Sequence, residues 1–214
     1  MCGFSSVVKC RKVWYRNMNQ KDEMKKNLIE EINSYYDHYV YMADVMKVYE
    51  HIEHFANYES DKLKIAPNFF KIVHASTIDS FMLTFARLYD NSEQTKSIQN
   101  LIDKCRKNIS LFSDADAVSK KLIEFEDKMM NDEYISPAIN TIKHRRDKIF
   151  VHNDKKFFNH PEKDSSYLPM YQLWVLRDFT KEVLTYLLEA LGGKPVKETI
   201  YNNEELEKLF DKCK

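Results

Sequence analysis

The chain has 214 residues, a length that favours one domain or one domain with appendages. Its 43% hydrophobic and 31% charged residues are typical of a globular protein, and its 3 glycines and 5 prolines favour long helices over a turn-rich β fold. The 33 basic and 33 acidic residues give a formal net charge of zero, which excludes a bulk electrostatic attraction to nucleic acid. Any such binding must come from a local patch.

The sequence favours a cytoplasmic protein that does not enter a membrane. No apolar run approaches the roughly 20 residues that a membrane span needs, and residues 1–20 contain no apolar core of a signal peptide. The four cysteines include no Cys-x-x-Cys pair, which favours reduced thiols over a disulfide framework or a zinc site. We predict a poorly specified extension over 1–20, a helical bundle over 21–195 and a short helical tail over 196–214.

Apolar periodicity predicts the helices of the first half. From Asp22 to about Tyr58, apolar residues recur at alternating steps of three and four, which indicates a long amphipathic helix. Its aromatic-rich stripe is predicted to be core rather than a stacking surface. A second helix should begin at Pro67 and run to about Tyr89, with apolar residues on most sides, and a third should cover about 97–107.

The second half predicts further helices and no strand. Asp114 or Asp116 is expected to cap a fourth helix, and Ser136-Pro137 to start the next one, which should run through Ile149. Pro169 is expected to open a last long helix that ends at the glycines 192–193, before a short helix over 204–212. The predicted fold class is all-α, a bundle of five to six helices.

The segment Arg146-Asp147-Lys148-Ile149-Phe150-Val151-His152 carries the most chemistry. A guanidinium binds phosphate through a planar fork of donors, and an imidazole can move a proton near neutral pH. These two groups suit cleavage of an RNA phosphodiester without a metal. Asp147 could orient either group or simply face water.

The same segment lies in a basic patch. Between positions 141 and 156, two acidic residues stand against six basic ones, namely Lys143, Arg145, Arg146, Lys148, Lys155 and Lys156. Such a patch attracts phosphate groups, and we take Arg145, Lys143, Lys148 and Lys155 as candidate RNA contacts. A solvated helix face without any ligand is the alternative, and it stays open.

Helical geometry limits how the arginine and the histidine can meet. Six residues at about 100° each put Arg146 and His152 about 120° apart around one continuous helix, where they would not converge. Either the helix ends before His152, or a second chain of a two-fold dimer completes the site. Arg145, seven residues before His152, is the alternative phosphate-binding arginine. We favour Arg146, because the polar Asp147 follows it directly.

The chain resembles the HEPN (higher eukaryotes and prokaryotes nucleotide-binding) domains. Arg146-Asp147 with His152 matches their Arg-polar-x4-His signature, and both this segment and Ala86-Arg87-Leu88-Tyr89-Asp90-Asn91 are similar to the abortive-infection branch. The resemblance implies a dimeric helical bundle and, in many members, a metal-independent endoribonuclease acting as a toxin or a phage-defence effector. Arg146 would then bind the scissile phosphate and His152 would act as general acid or base. Neither a metal nor another cofactor is implied.

Other functions stay open beside this one. The same patch could hold a nucleotide, an RNA or a protein without catalysis, and a plain helical scaffold is a third option. The resemblance implies RNA and a second copy of the chain as partners, and an antitoxin in toxin-antitoxin systems. One branch of the family carries a tyrosine two positions after the histidine, where this chain has Asp154, so regulation through that tyrosine is not expected.

Overall fold

The computed structural model describes residues 4–90, 92–147, 169–194, 201 and 203–212. All regular secondary structure in these ranges is helical, which confirms the predicted all-α class. Six helices of ten or more residues within the described ranges supply the main core, in agreement with the predicted bundle.

Helix α1 spans Phe4–Tyr58 and is the longest element of the described chain. The periodic residues predicted to face the core are buried, among them Ile32, Tyr35 and Met42. The predicted start at Asp22 is wrong, because α1 begins 18 residues earlier, at Phe4. No glycine or proline separates Phe4 from Asp22, so the sequence contains no residue that would interrupt a helix there.

Helix α3 is the second long helix and packs along α1. A single turn, α2 (Ser60–Leu63), separates α1 from α3, which spans Pro67–Leu88 with the proline in its first turn, as predicted. A proline is tolerated there because the first N–H groups of a helix have no partner within the helix.

The next two helices begin at side-chain caps. Helix α4 spans Ile98–Lys107, and Ser97 caps it by accepting a hydrogen bond from the Asn100 N–H. After a 3-10 turn at Ile109–Leu111, helix α5 spans Ala115–Asn131. Its cap is Asp114, which accepts from the Ala117 N–H at 2.9 Å and so resolves the choice between Asp114 and Asp116.

Helix α6 spans Ile135–Arg145, which corrects its predicted start. Its N-cap position is Tyr134 and not Ser136, and the Asp132 side chain just before it accepts from the N–H groups of Tyr134 (2.8 Å) and Ile135 (2.9 Å). Ser136-Pro137 lies inside the first turn, where a proline costs no helical hydrogen bond. A π-helical turn follows α6 at Arg146 and Asp147, and the predicted continuation through Ile149 lies outside the described residues.

Helix α7 (Met170–Ala190) ends at a glycine cap, as predicted. Gly192 has a φ of 71°, a conformation that other residues adopt only with strain. The Gly192 N–H donates to the Glu189 carbonyl and the Gly193 N–H to the Leu188 carbonyl, each at 2.8 Å. This pattern is a Schellman motif. The last described helix, α8, spans Asn203–Lys212.

Two hydrophobic clusters hold the helices together. The main core draws on α1 and α3 to α7, while a smaller cluster joins α8 to α1 and α3 through Ile52, Phe55, Phe70 and Phe210. The position of α8 therefore depends on few side chains. Among the helices described, none is both long and apolar enough to cross a lipid bilayer.

Candidate functional site

The end of α3 is fixed against α7 by a buried hydrogen bond. The Tyr89 hydroxyl lies 2.7 Å from the Thr180 hydroxyl, and Thr180 donates its only proton to the Leu176 carbonyl at 2.7 Å. Tyr89 must therefore be the donor in its bond to Thr180. Burial raises the pKa of Tyr89, so its hydroxyl keeps its proton. This anchor fixes the backbone immediately before Asp90.

Asp90 connects the end of α3 to the end of α6. Its carboxylate accepts from the Ser92 N–H at 3.1 Å and contacts Arg146 Nη1 at 3.0 Å. Partial burial alone would raise the pKa of Asp90, but the Ser92 hydrogen bond and the Arg146 charge outweigh it and hold that pKa below its usual value. The Asp90 carboxylate is therefore ionised at neutral pH.

Arg146 is held by a second carboxylate as well. It follows the last residue of α6, and the backbone of Arg146 and Asp147 forms a π-helical turn. Its Nε donates to Asp147 Oδ1 at 2.7 Å. The bond to Asp147, followed by that to Asp90, raises the pKa of Arg146 although partial burial opposes the shift. Two carboxylates thus fix the plane of the guanidinium, and Asp147 orients the arginine.

Lys143 lies one turn before Arg146 and borders a cavity of about 580 Å³. Burial, and then the charge of Arg146, lowers the pKa of Lys143, while Asp90 opposes that shift. The cavity is also lined by the polar side chains of Gln99, Glu126 and Asn140. Lys143 therefore belongs to the same charge cluster as Asp90 and Arg146.

The structure describes only part of the predicted site. It brings together Arg146, Asp147 and Lys143, and it places the partly exposed Arg145 at the last position of α6. The predicted base His152 and the predicted phosphate contacts Lys148 and Lys155 lie outside the described residues. The predicted angle between Arg146 and His152 therefore stays a prediction, because His152 lies outside the described residues.

Asp90 is the site residue that the sequence analysis did not identify. It is named from the sequence only within the segment 86–91 that resembles other HEPN domains. Its ion pair with Arg146 joins the two segments that carry the resemblance. No local pattern encodes a contact between residues so distant in sequence, and only the packing of α3 against α6 creates it.

No metal centre is evident in the described part of the chain, where no three His, Cys, Asp or Glu residues are grouped to hold an ion. The two histidines near the end of α1 have different partners. His51 Nδ1 lies 2.8 Å from the Tyr201 hydroxyl, whereas His54 Nε2 lies 3.4 Å from Glu59. These contacts are structural.

The all-helical bundle is consistent with the helical fold of HEPN domains. The family model for AbiU2, a HEPN family, matches residues 25–210. This match covers most of the chain, and the protein belongs to that family. Comparisons with curated proteins and with solved structures gave no match.

Proposed function

We propose that this protein is a metal-independent endoribonuclease of the HEPN type, acting as a toxin or in phage defence. The observation that carries the proposal is the fixed guanidinium of Arg146, supported by Asp90 and Asp147 at the end of α6. Preorganised donors stabilise the charge that develops on a phosphate because they need no reorganisation during the reaction. Membership of the AbiU2 family supports the biological role.

The chemistry requires a proton acceptor and a proton donor beside Arg146. The ribose 2′-oxygen attacks the adjacent phosphorus, its proton passes to a general base, and the bond from phosphorus to the 5′-oxygen breaks. The leaving 5′-oxygen takes up a proton, and the other product is a 2′,3′-cyclic phosphate. His152 is assigned the acid–base role, as the family signature implies, and Arg146 contacts the phosphate oxygens.

Asp147 is the carboxylate that an incoming phosphate would displace. Its side chain is 50% exposed, whereas that of Asp90 is 23% exposed and also bonded to the Ser92 N–H. Displacing the more exposed carboxylate costs less, because water can solvate it. Among the described residues, the carboxylates of Asp90 and Asp147 contact Nη1 and Nε of Arg146.

The test is an RNA cleavage assay in the presence of EDTA. We expect wild-type protein to release 2′,3′-cyclic phosphate ends, and Arg146→Gln to cleave about 10² to 10³ times more slowly. His152→Ala should lower the rate by about 10² to 10⁴. Lys120→Gln is the control, since it removes one exposed positive charge from α5, outside the candidate site, and should retain full activity. Intact RNA, or cleavage unchanged by His152→Ala, contradicts the proposal.

A non-catalytic binding module is the second candidate, and one observation favours it. The charge of Arg146 is already balanced by two carboxylates, an arrangement that also suits a stable binding surface. This candidate predicts RNA or nucleotide binding without turnover, lost when Arg145 and Arg146 are both changed to Gln. Product formation by the wild type in the cleavage assay excludes it.

A cellular assay tests the proposed defence or toxin role, in which RNA is the target and an antitoxin is a partner. Expression of the wild-type chain should arrest growth, and Arg146→Gln at the same protein level should not. Arrest by both forms would separate toxicity from the proposed site.

A further inference from the structure

A second pocket lies beside the Arg146 site, on the other side of Asp90. Its volume is about 260 Å³, and it is lined by α1, the end of α3 and the segment that leads into α4. Asp90 lines this pocket and also binds Arg146, so the pocket and the candidate site share one side chain.

The pocket is rich in cationic and N–H donor groups. Arg87 and Lys96 both line it and are exposed to solvent, and His38 adds an exposed imidazole from α1. None of these three side chains forms an ion pair with a carboxylate of the described residues. Many basic side chains elsewhere do so, for example Lys62 with Glu59 and Glu207.

Asp90 does not cancel this positive charge. Its carboxylate is already bonded to Arg146 and to the Ser92 N–H. Arg87 and Lys96 therefore bring two positive charges to a lining whose one acidic residue among those described, Asp90, is bonded to Arg146. A cleft lined by charges of one sign raises the local concentration of the opposite charge, and a phosphate group supplies that charge.

The remaining walls suit a nucleoside rather than a bare anion. Tyr35 and Leu88 are buried side chains that line the pocket and give it an apolar floor. Its volume lies just below the roughly 300 Å³ at which pockets for small organic ligands begin. The space therefore fits about one nucleotide unit and is too small for a folded RNA element.

We propose that this pocket binds an RNA nucleotide next to the cleavage position, with Arg87 and Lys96 holding its phosphodiester. The inference rests on the proposed function, because it assigns the scissile phosphate to Arg146 and the neighbouring phosphate to the pocket across Asp90. His38 contributes a ring N–H to the same nucleotide. The ligand is single-stranded RNA, whose bases are free to turn away from a stack.

The test measures binding of a short, fluorescently labelled single-stranded RNA to the full chain. His152→Ala is introduced throughout, so that the RNA stays intact. In that background we compare Arg87→Gln/Lys96→Gln with Lys71→Gln/Lys120→Gln, which removes two charges from exposed lysines on α3 and α5. Lys71 lies about 24 Å from Arg87 along the axis of α3, so the control leaves the pocket intact.

Arg87→Gln/Lys96→Gln should weaken RNA binding about tenfold at moderate salt. The plot of log affinity against log salt concentration should become shallower by about 0.7, the value for one phosphate of a single strand. The control pair should change neither quantity. Equal effects of the two pairs, or no effect of either, overturn the proposal. Binding of adenosine monophosphate is measured with the same variants. If Arg87→Gln/Lys96→Gln loses adenosine monophosphate binding but binds RNA as before, the proposal is also overturned, because the pocket would then bind free nucleotides.

Failure of this inference can be distinguished from failure of the proposed function. If wild-type protein cleaves RNA in EDTA but Arg87→Gln/Lys96→Gln binds RNA normally, the pocket assignment is wrong and the nuclease proposal stands. The opposite result is that wild-type protein does not cleave RNA, while Arg87→Gln/Lys96→Gln weakens RNA binding and the control pair does not. In that case the pocket assignment stands and the nuclease proposal falls. Thermal unfolding of each variant confirms that the exposed substitutions leave the fold intact.

Discussion

The Asp90 carboxylate links two segments that are far apart in sequence, and this contact is central to the candidate site. Arg146 has two acidic partners of different character, since Asp90 is mostly shielded from water and Asp147 is half exposed. An ion pair shielded from solvent contributes more to stability than an exposed one, because water and salt screen it less. The two aspartates should therefore respond differently to the same substitution.

Asp90→Asn should lower the free energy of unfolding by about 1 to 2 kcal/mol, the scale of a hydrogen bond to a charged group. Asp147→Asn should lower it by less than about 1 kcal/mol, because that pair is exposed. Denaturation by urea at neutral pH measures both values. Equal losses would show that the partly buried pair with Asp90 contributes no more than a surface pair.

The effect of Asp90 on stability should depend on pH. Its pKa is lowered in the folded protein, so the folded state favours the ionised carboxylate more than the unfolded chain does. The resulting stabilisation is complete above the unfolded pKa of about 3.9 and is lost as the pH falls through the folded value. The difference in unfolding free energy between wild type and Asp90→Asn should therefore be constant near neutral pH and shrink below about pH 4. A difference that keeps its neutral-pH value once the pH is below the unfolded pKa would contradict this assignment.

The sequence allowed some site residues to be predicted and not others. Arg146 and Asp147 were identified because a charged motif in one segment is visible without tertiary structure. Their interaction, with Asp147 orienting the arginine, agrees with one of the two roles considered for Asp147. Asp90 and the pocket residue His38 were not identified, since α3 and α1 bring them to the site only through packing.

Among the helix ends, those set by a local cap were easier to predict than those set by neighbouring residues that compete for the same role. Asp114 and the glycines after α7 bound their helices through hydrogen bonds that form within a few residues, and such local bonds can be predicted from the sequence. The start of α6 was predicted wrongly because Ser136-Pro137 is a good local start signal, yet Asp132 provides the bonds one turn earlier. Two adjacent start signals cannot be ranked from the sequence alone.

The small cluster around Phe210 should control α8 without controlling the bundle. Phe210 is buried, and its ring packs against Phe55 and Phe70, outside the main core. Phe210→Ala should remove about 3 kcal/mol or more from the local stability of α8, since large core truncations cost this much. Hydrogen exchange should therefore accelerate in α8 and remain slow in the buried centre of α1.

Leu209→Ala is the matched control for Phe210→Ala. Leu209 is 54% exposed and adjacent in sequence, so its truncation should leave exchange in α8 nearly unchanged. Acceleration throughout the bundle after Phe210→Ala would show that the two clusters unfold as one unit.

For the whole molecule, the fold class followed from the sequence because periodicity and scarce glycine and proline are distributed along the entire chain. Assembly is different, since a dimer interface leaves no comparable periodic signal. The proposed two-fold dimer came from the resemblance and from the need to bring Arg146 and His152 together. It makes a definite prediction, because each active site would combine Arg146 of one subunit with His152 of the other.

Purified mixed dimers test this arrangement. The first mixed dimer pairs an Arg146→Gln subunit with a His152→Ala subunit. The two subunits carry different affinity tags, so that the mixed dimer can be purified. If sites form between subunits, one of its two sites is intact and it should have about half of the wild-type cleavage activity. The second dimer pairs a wild-type subunit with one carrying both substitutions, and neither of its shared sites is intact, so it should be inactive. The reverse pattern would place each site within one chain, and failure to isolate any mixed dimer would show that the active form is not a dimer.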